Sequence, residues 1–330
     1  MSRDDSRPEE EAEEETIPEG DRPAQEQALT VRDLADRAAG APAVRTLLTD
    51  AIDYAGLFPP AALSMDDTVR NYAAYLDSED AWALGRLVVP IARLGEFAAV
   101  AEPLLGRGAG PWRLSLLAGP QGADEWSSVH RTRLRAVATN AIELRVRSMN
   151  DVLEAAGKLP KDIDVYYEIP VDEDPSALIG AIRRVRGKAK VRTGGVTDDA
   201  FPLPTQLARF IVQCAAAGVP FKATAGLHHP LRAAYRLTYA TDSPHGEMFG
   251  FLNVLLAAAF AREELGIGTI AELLDERDIE SIRFDRDGVT WRARRVSLRR
   301  LADARAALSL SFGSCSFTEP LNELRQLGWL

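Results

Sequence analysis

Charged residues alternate with apolar ones in several short runs of this chain, at the spacing of a β-strand. The charged residues concerned are Glu143, Arg145, Glu168, Lys190, Arg192 and Lys222. Because side chains alternate between the two faces of a strand, the charged set of each run shares one face. Buried charges are costly unless they are paired or bind a ligand, so such a face is typical of a functional site. A closed network of ion pairs that only fills the interior would produce the same pattern.

The two lysines suit carbonyl chemistry, because Lys190 and Lys222 lie in consecutive predicted strands. An amine must lose its proton before it attacks a carbonyl carbon, and a nearby cation or a dry pocket favours that loss. Glu168 would act as general acid or base. Without an imine, the same lysines would stabilise an enolate. We therefore expect lyase (aldolase-like) or isomerase chemistry on a small anionic carbonyl or sugar-phosphate-like substrate, bound by Arg145 and Arg192.

Small and polar residues follow three of the predicted strands, where a substrate pocket would form. Gly194 and Gly195 come directly after the sixth strand, and adjacent glycines let backbone N–H groups approach an anion. Thr224 ends the seventh strand, and Ser314 and Cys315 follow the eighth. We expect all five residues to contact the substrate. Cys315 is also a candidate nucleophile, although a free cysteine is commonly just a small buried residue.

Three of the four histidines, His228, His229 and His245, follow the seventh predicted strand. We expect His228 to be catalytic and His229 to bind substrate, in a site that needs no metal or organic cofactor. The alternative is a metal-dependent lyase or hydrolase that holds a divalent metal with Glu168, His228 and His245. A helix cap and a surface residue would account for two of these histidines without any function.

Eight short apolar runs alternate with longer amphipathic stretches, which predicts an α/β fold of the (β/α)8 TIM-barrel type. The predicted strands are Ala51–Ala55, Arg86–Pro90, Arg113–Leu117, Ala141–Val146, Asp164–Ile169, Ala189–Thr193, Pro220–Thr224 and Leu308–Phe312. An open doubly wound sheet should have a glycine-rich phosphate turn after its first strand. Here the first strand leads into Gly56–Pro60, and the glycine-rich run Gly106–Gly110 precedes a strand, so the barrel is favoured.

Spacing divides the chain into a tail, a barrel and an insertion. Residues 1–28 hold eleven acidic and three basic residues, which predicts a disordered acidic tail. Residues 29–330 form one barrel domain, with an inserted helical and β-hairpin segment at about 240–300, between strands seven and eight. Asp287-Gly288 is the hairpin's turn signal, and Met248–Ala261 reads as a buried helix.

Charge and cysteine content exclude several classes of protein. Of the whole-chain charge of −10, the tail accounts for −8, so the remainder is nearly neutral at −2 and has no basic face for nucleic acid. Two cysteines, Cys214 and Cys315, suit a reducing cytoplasm. The longest apolar run is shorter than the roughly 20 residues that cross a bilayer. We expect a cytoplasmic protein with a small anionic substrate, no nucleic-acid or membrane partner, and a homo-oligomer as an open option; a binding or scaffold barrel is the non-catalytic alternative.

Two runs, Ala189–Gly195 and Phe221–Gly226, each hold a lysine followed by hydroxyl residues and glycine. They resemble the paired lysine strands of class I aldolases of the deoxyribose-phosphate type, in which the sixth strand holds the Schiff-base lysine. The resemblance implies that Lys190 forms the imine and that Lys222 depresses its pKa. It is confined to these two strands and departs at Arg192, where the family has a small or hydroxylated residue. The chain as a whole resembles a bacterial (β/α)8-barrel family.

Overall fold

The computed structural model describes residues 40–105, 111–129 and 137–330. The predicted acidic tail and the run Gly106–Gly110 lie outside the described residues. The strands of the described residues are β1 (Ile52–Tyr54), β2 (Leu84–Pro90), β3 (Trp112–Leu117), β4 (Val137–Arg145), β5 (Asp164–Glu168), β6 (Lys188–Arg192), β7 (Phe221–Thr224), β8 (Ala233–Arg236), β9 (His245–Met248), β10 (Ile282–Asp285), β11 (Gly288–Trp291), β12 (Arg294–Ser297) and β13 (Ser309–Ser314).

The predicted (β/α)8 barrel is confirmed. Eight parallel strands close in the order β1-β13-β7-β6-β5-β4-β3-β2, so β13 is the eighth barrel strand and pairs with both β1 and β7. The α-helices of the described residues are α1 (Ala41–Leu48), α2 (Met65–Leu76), α3 (Leu94–Ala101), α4 (Trp126–Val129), α5 (Met149–Lys158), α6 (Ser176–Arg184), α7 (Pro204–Ala217), α8 (Phe251–Ala261), α9 (Ile267–Leu274), α10 (Leu298–Ala307) and α11 (Thr318–Gln326).

Local sequence explains how the helices begin beside the strands they cover. Ser64 caps α2 by accepting the backbone N–H of Asp67 at 3.0 Å. Ser148 and Asp151 form a reciprocal capping box at the start of α5, which sets the distance from β4 to the covering helix. The amphipathic stretch Asp124–Val137 predicts a helix; among its described residues Trp126–Val129 form α4, and Val137 already belongs to β4.

The predicted insertion between strands seven and eight is present. Between β7 and β13 the chain forms the β8–β9 hairpin, α8, α9, a β10–β11–β12 sheet and α10, and the first of these elements, β8, begins at Ala233. The loop after β7 does not begin as a helix, because Ala225 and Gly226 have φ values of 70° and 72°, outside the right-handed helical region. The hairpin around Asp287-Gly288 is present as β10 and β11, and β12 extends it to three strands.

Helix α8 is the expected buried helix. All of its eleven residues are buried, and the Phe251 ring stacks on Phe312 of β13 with 5.2 Å between ring centroids. Helices α7, α9 and α10 also contact α8, which accounts for a helix that is apolar on every side. Within the described ranges, no helix combines the length and apolar character needed to cross a bilayer.

Candidate active site

The charged faces of five barrel strands meet inside the barrel as one chain of ion pairs. Lys222 Nζ lies 2.5 Å from Asp53 Oδ2 and 2.7 Å from Glu143 Oε1. Lys190 Nζ lies 2.7 Å from Glu143 Oε2 and 2.8 Å from Glu168 Oε2. Positive and negative groups therefore alternate in the order Asp53, Lys222, Glu143, Lys190, Glu168. We call these five residues the lumen chain.

Neutral donors complete the hydrogen bonding at the deep end of the lumen chain. Ser115 Oγ donates to Glu143 Oε1 at 2.7 Å, and Ser311 Oγ donates to Asp53 Oδ2 at 2.8 Å. The backbone N–H of Arg86 donates to Asp53 Oδ1 at 2.7 Å. These bonds offset part of the cost of taking the carboxylates out of water.

A second ion cluster lies at the amino-terminal end of the same strands. Arg86 Nη2 and Lys188 Nζ both contact Asp164, at 2.9 and 2.7 Å. Tyr166 separates this cluster from the lumen chain, since its ring lies 5.4 Å from both Lys188 Nζ and Lys222 Nζ. The barrel interior is thus filled below the lumen chain, and any ligand must approach from the carboxyl ends of the strands.

Two arginines stand at that open end rather than on the inner wall, where strand alternation had placed them. Arg145 and Arg192 are the last residues of β4 and β6, so their side chains extend past the strands. The Arg145 side chain is 74% exposed while its Nε lies 2.9 Å from Glu168 Oε1. Arg192 lines a cavity of about 340 Å³ that also contacts Asp172 and Phe201.

The ion pairs of the lumen chain keep Glu143 and Lys222 charged. Burial raises the pKa of Glu143, but Lys190 and Lys222 outweigh it and hold that pKa well below the usual range. Burial lowers the pKa of Lys222, but Asp53 and Glu143 outweigh it, so the net shift is upward. Lys222 therefore remains an ammonium ion at neutral pH and is unsuited to attack a carbonyl itself.

Arg145 and Arg192 affect the pKa of Glu168, the carboxylate of the lumen chain that lies nearest the barrel mouth. Burial raises the pKa of Glu168, while Lys190, Arg145 and Arg192 together bring it below its usual value. The two arginines are exposed, so a bound anion can neutralise them without disturbing the deep end of the chain.

The glycines after β6 have a packing role that the sequence did not reveal. A Cβ on Gly194 would overlap the Phe201 ring, and one on Gly195 would lie 2.7 Å from Ala200 Cβ. Gly226, after β7, faces the same ring, 3.1 Å from where its Cβ would be. These glycines therefore let the loop after β6 fold over the barrel mouth, and their binding of an anion stays a prediction.

We expect Gly194→Ala to lower the free energy of unfolding by about 1–3 kcal/mol, because the Phe201 ring has to move. The matched control is Gly180→Ala in α6, where a Cβ meets nothing within 4 Å; it should be neutral or stabilising by up to about 1 kcal/mol. Urea denaturation measures both. Adding Phe201→Ala should remove the Gly194→Ala penalty, and equal penalties with and without the ring would contradict this packing role.

A second polar cluster lies above the lumen, after β7 and β13. His228 Nδ1 lies 3.7 Å from Cys315 Sγ and 3.6 Å from Glu319 Oε2. Tyr239 OH lies 3.5 Å from Cys315 Sγ and 3.4 Å from Glu319 Oε2. Sequence reasoning singled out His228 and Cys315 separately, but it missed Glu319 and Tyr239, which come from α11 and from the turn between β8 and β9.

Three other residues that were expected to bind substrate, Thr224, Ser314 and His229, make contacts within the protein instead. Thr224 Oγ1 donates to the Val191 carbonyl at 3.4 Å, and buried Ser314 accepts the Ser316 N–H at 3.3 Å. His229 points away from His228: its Nδ1 lies 2.6 Å from Glu323 Oε1, and its ring stacks on Tyr235. None of these contacts involves a residue of the lumen chain.

The alternative metal ligands do not come together. Both oxygens of Glu168 contact Lys190 and Arg145, whereas exposed His245 begins the β9 edge strand. In the described part of the chain, the group of three donors that lies within 4.8 Å is His229, Glu319 and Glu323. We assign that group to the docking of α11 on the loop after β7, because the His229–Glu323 hydrogen bond already joins them.

The fold and the lumen chain define this protein as a (β/α)8 barrel with an ionised interior. No protein family, no curated protein and no solved structure matches the chain. Its chemistry must therefore be argued from its own residues.

Proposed function

We propose that this barrel is an enzyme for a small anionic carbonyl compound, with lyase (aldolase-like) or isomerase chemistry and Lys190 as the imine-forming amine. The observation that carries the proposal is the difference in depth between the two lysines of the lumen chain. Lys222 is fully buried at 0% exposure, whereas Lys190 retains 4% and adjoins the mouth through Glu168. A carbonyl compound that enters the mouth meets Lys190 first.

The exposed arginines suit the anionic part of such a substrate. Arg145 and Arg192 flank Glu168 and lower its pKa. A phosphate or carboxylate bound by these guanidinium groups would cancel part of their effect and raise the pKa of Glu168. Glu168 then becomes a better base for the proton on Lys190, 2.8 Å away. Substrate binding itself would thereby free the amine.

The remaining steps follow from amine chemistry. Neutral Lys190 attacks the carbonyl carbon, a C–N bond forms, and the carbonyl π electrons go to oxygen, which takes a proton. Loss of water with proton transfer from nitrogen gives the imine. Lys222 stays charged between Asp53 and Glu143, so the attacking amine is that of Lys190 once Glu168 has taken its proton. In the isomerase alternative no imine forms, and the lysines stabilise an enolate of the substrate instead.

Borohydride trapping tests the proposal. The protein is incubated with pyruvate or with glyceraldehyde 3-phosphate, sodium borohydride is added, and peptides are mapped by mass spectrometry. We expect a reduced adduct on Lys190 that is lost in Lys190→Met. Lys188→Met is the matched control, since Lys188 lies on the same face of β6 at its other end and should leave the adduct intact.

The absence of an adduct with both compounds would overturn the imine, as would an adduct confined to other lysines. If neither compound binds either, as measured by a shift in melting temperature, the lumen chain is a structural filling and the barrel is a non-catalytic scaffold.

A further inference from the structure

The thiol of Cys315 lies directly after the eighth barrel strand. Ser309 and Ser311 of β13 have the inward parity, and Ser311 contacts Asp53. β13 ends at Ser314, so Cys315 follows the carboxyl end of the strand, where the loops of the barrel mouth begin. The thiol therefore belongs to the mouth of the barrel, separate from the ammonium groups of Lys190 and Lys222.

The thiol is surrounded by groups suited to make it a nucleophile. The imidazole of His228 is 3.7 Å from Sγ, and Glu319 is 3.6 Å from the same imidazole nitrogen. Cys315 and His228 are 5% and 7% exposed, so water competes little for these contacts. A thiol beside an imidazole is the arrangement by which a base takes the proton of a cysteine, and the Glu319 carboxylate near the same imidazole nitrogen favours the protonated ring.

The charges on these groups reinforce one another. Burial raises the pKa of Cys315, but His228 outweighs it and brings it below its usual value. Burial lowers the pKa of His228, but Cys315 and Glu319 raise it to about 10. The other titratable groups that face the thiol are Tyr239 and Tyr54, whose pKa values burial raises, so both remain neutral.

We propose that Cys315 and His228 form a nucleophilic thiolate–imidazolium site that adds to small aldehydes at the barrel mouth. The thiolate attacks the aldehyde carbon, a C–S bond forms, and the carbonyl π electrons move to oxygen. The imidazolium of His228 gives its proton to that oxygen, which yields a hemithioacetal without an oxidant or a leaving group. Tyr239 OH, 3.5 Å from Sγ, is a second donor for the developing alkoxide.

Among the side chains that contact the thiol, that of Tyr239 is the best placed to move. Tyr239 contacts Sγ through its hydroxyl, yet the residue is 58% exposed. It belongs to the turn that joins β8 and β9, outside any helix or barrel strand. Rotation of this side chain would open the thiol without any change in the barrel.

Alkylation by iodoacetamide tests the site in the native full-length protein. The rate at each cysteine is followed by mass spectrometry between pH 5.5 and 9. Cys315 should react at lower pH than an ordinary thiol does, because the imidazolium of His228 holds its pKa below the usual value. Cys214 is the internal control: it is fully buried, and burial raises its pKa well above the usual value, so it should remain unmodified.

Two variants separate activation from access. His228→Asn should slow the alkylation of Cys315 at least tenfold at pH 6.5 and move the midpoint of its pH profile above that of an ordinary thiol, because burial then raises the pKa of the thiol with no imidazolium to oppose it. Tyr239→Ala should accelerate alkylation and move the profile only slightly toward higher pH, because the Tyr239 hydrogen bond lowers the pKa of the thiol less than His228 does. If Cys315 reacts no faster than Cys214 even in Tyr239→Ala, or if it shows an ordinary thiol profile there, the site is not a thiolate and the proposal fails.

The preference for an aldehyde is tested by asking whether acetaldehyde protects Cys315 from alkylation. The experiment uses the Lys190→Met variant. Prior incubation with acetaldehyde should slow the alkylation of Cys315 reversibly, and acetone at equal concentration should not. The Lys190→Met background removes the proposed imine, so this result stands or falls independently of the lysine chemistry. Failure of acetaldehyde to protect Cys315 would overturn the aldehyde assignment.

Discussion

Replacement of Glu143 by glutamine is expected to lower the free energy of unfolding by about 3–5 kcal/mol at pH 7. Glu143 holds Lys190 and Lys222 at 2.7 Å, one on each carboxylate oxygen. The amide keeps the shape of the side chain but removes the negative charge between two buried ammonium ions. Those ions then repel each other in a region that water hardly enters. Urea denaturation followed by circular dichroism measures the loss.

The size of this effect should also depend on pH. The folded-state pKa of Glu143 is depressed, so its contribution is present above the unfolded value of about 4.3 and is lost as the pH falls toward the folded value. The gap between wild type and Glu143→Gln should therefore narrow below about pH 4. Glu96→Gln, which breaks the exposed pair with Arg93, is the control and should change stability little. A gap independent of pH would mean that packing, not charge, causes the loss.

Replacement of Glu168 by glutamine is expected to slow the formation of the borohydride-trapped adduct by about 10²- to 10⁴-fold. An amide cannot accept the proton of Lys190, whereas the carboxylate lies 2.8 Å from that amine. Lys190 itself is unchanged, so long incubation should still give the adduct on the same residue. The rate is measured by quenching with borohydride at increasing times and quantifying the modified peptide.

Asp164→Asn is the matched control for Glu168. Both carboxylates lie on the same face of β5, but Asp164 contacts Arg86 and Lys188 at the closed end of the barrel. This variant should leave the trapping rate within a few-fold of wild type. The pH profile distinguishes the roles further: the loss of rate at acid pH that protonation of Glu168 causes should be missing from Glu168→Gln. Equal slowing in both variants would assign Glu168 a structural role.

Sequence reasoning succeeded where the signal was local. The runs that became β4, β5, β6 and β7 each carry an alternation that separates a polar from an apolar face, and burial of the apolar set forces the polar set inward. The sequence did not predict Asp53 as a site residue. Strand β1 has only three residues, all of them buried, and is too short to show an alternation of polar and apolar side chains.

The sequence by itself determined the eight strands, four of the inward charges (Glu143, Glu168, Lys190 and Lys222) and the buried character of α8, since these depend on residues that are neighbours in the chain. Only the tertiary structure decided which charges pair. Lys222 and Asp53 are 169 residues apart, and they meet because closure of the barrel brings β7 and β1 to the two sides of β13. The tertiary structure likewise brings His228 and Tyr239, 87 and 76 residues away in the chain, to Cys315. Pairing of this kind depends on the register and curvature of a closed sheet, which no local pattern of residue types encodes.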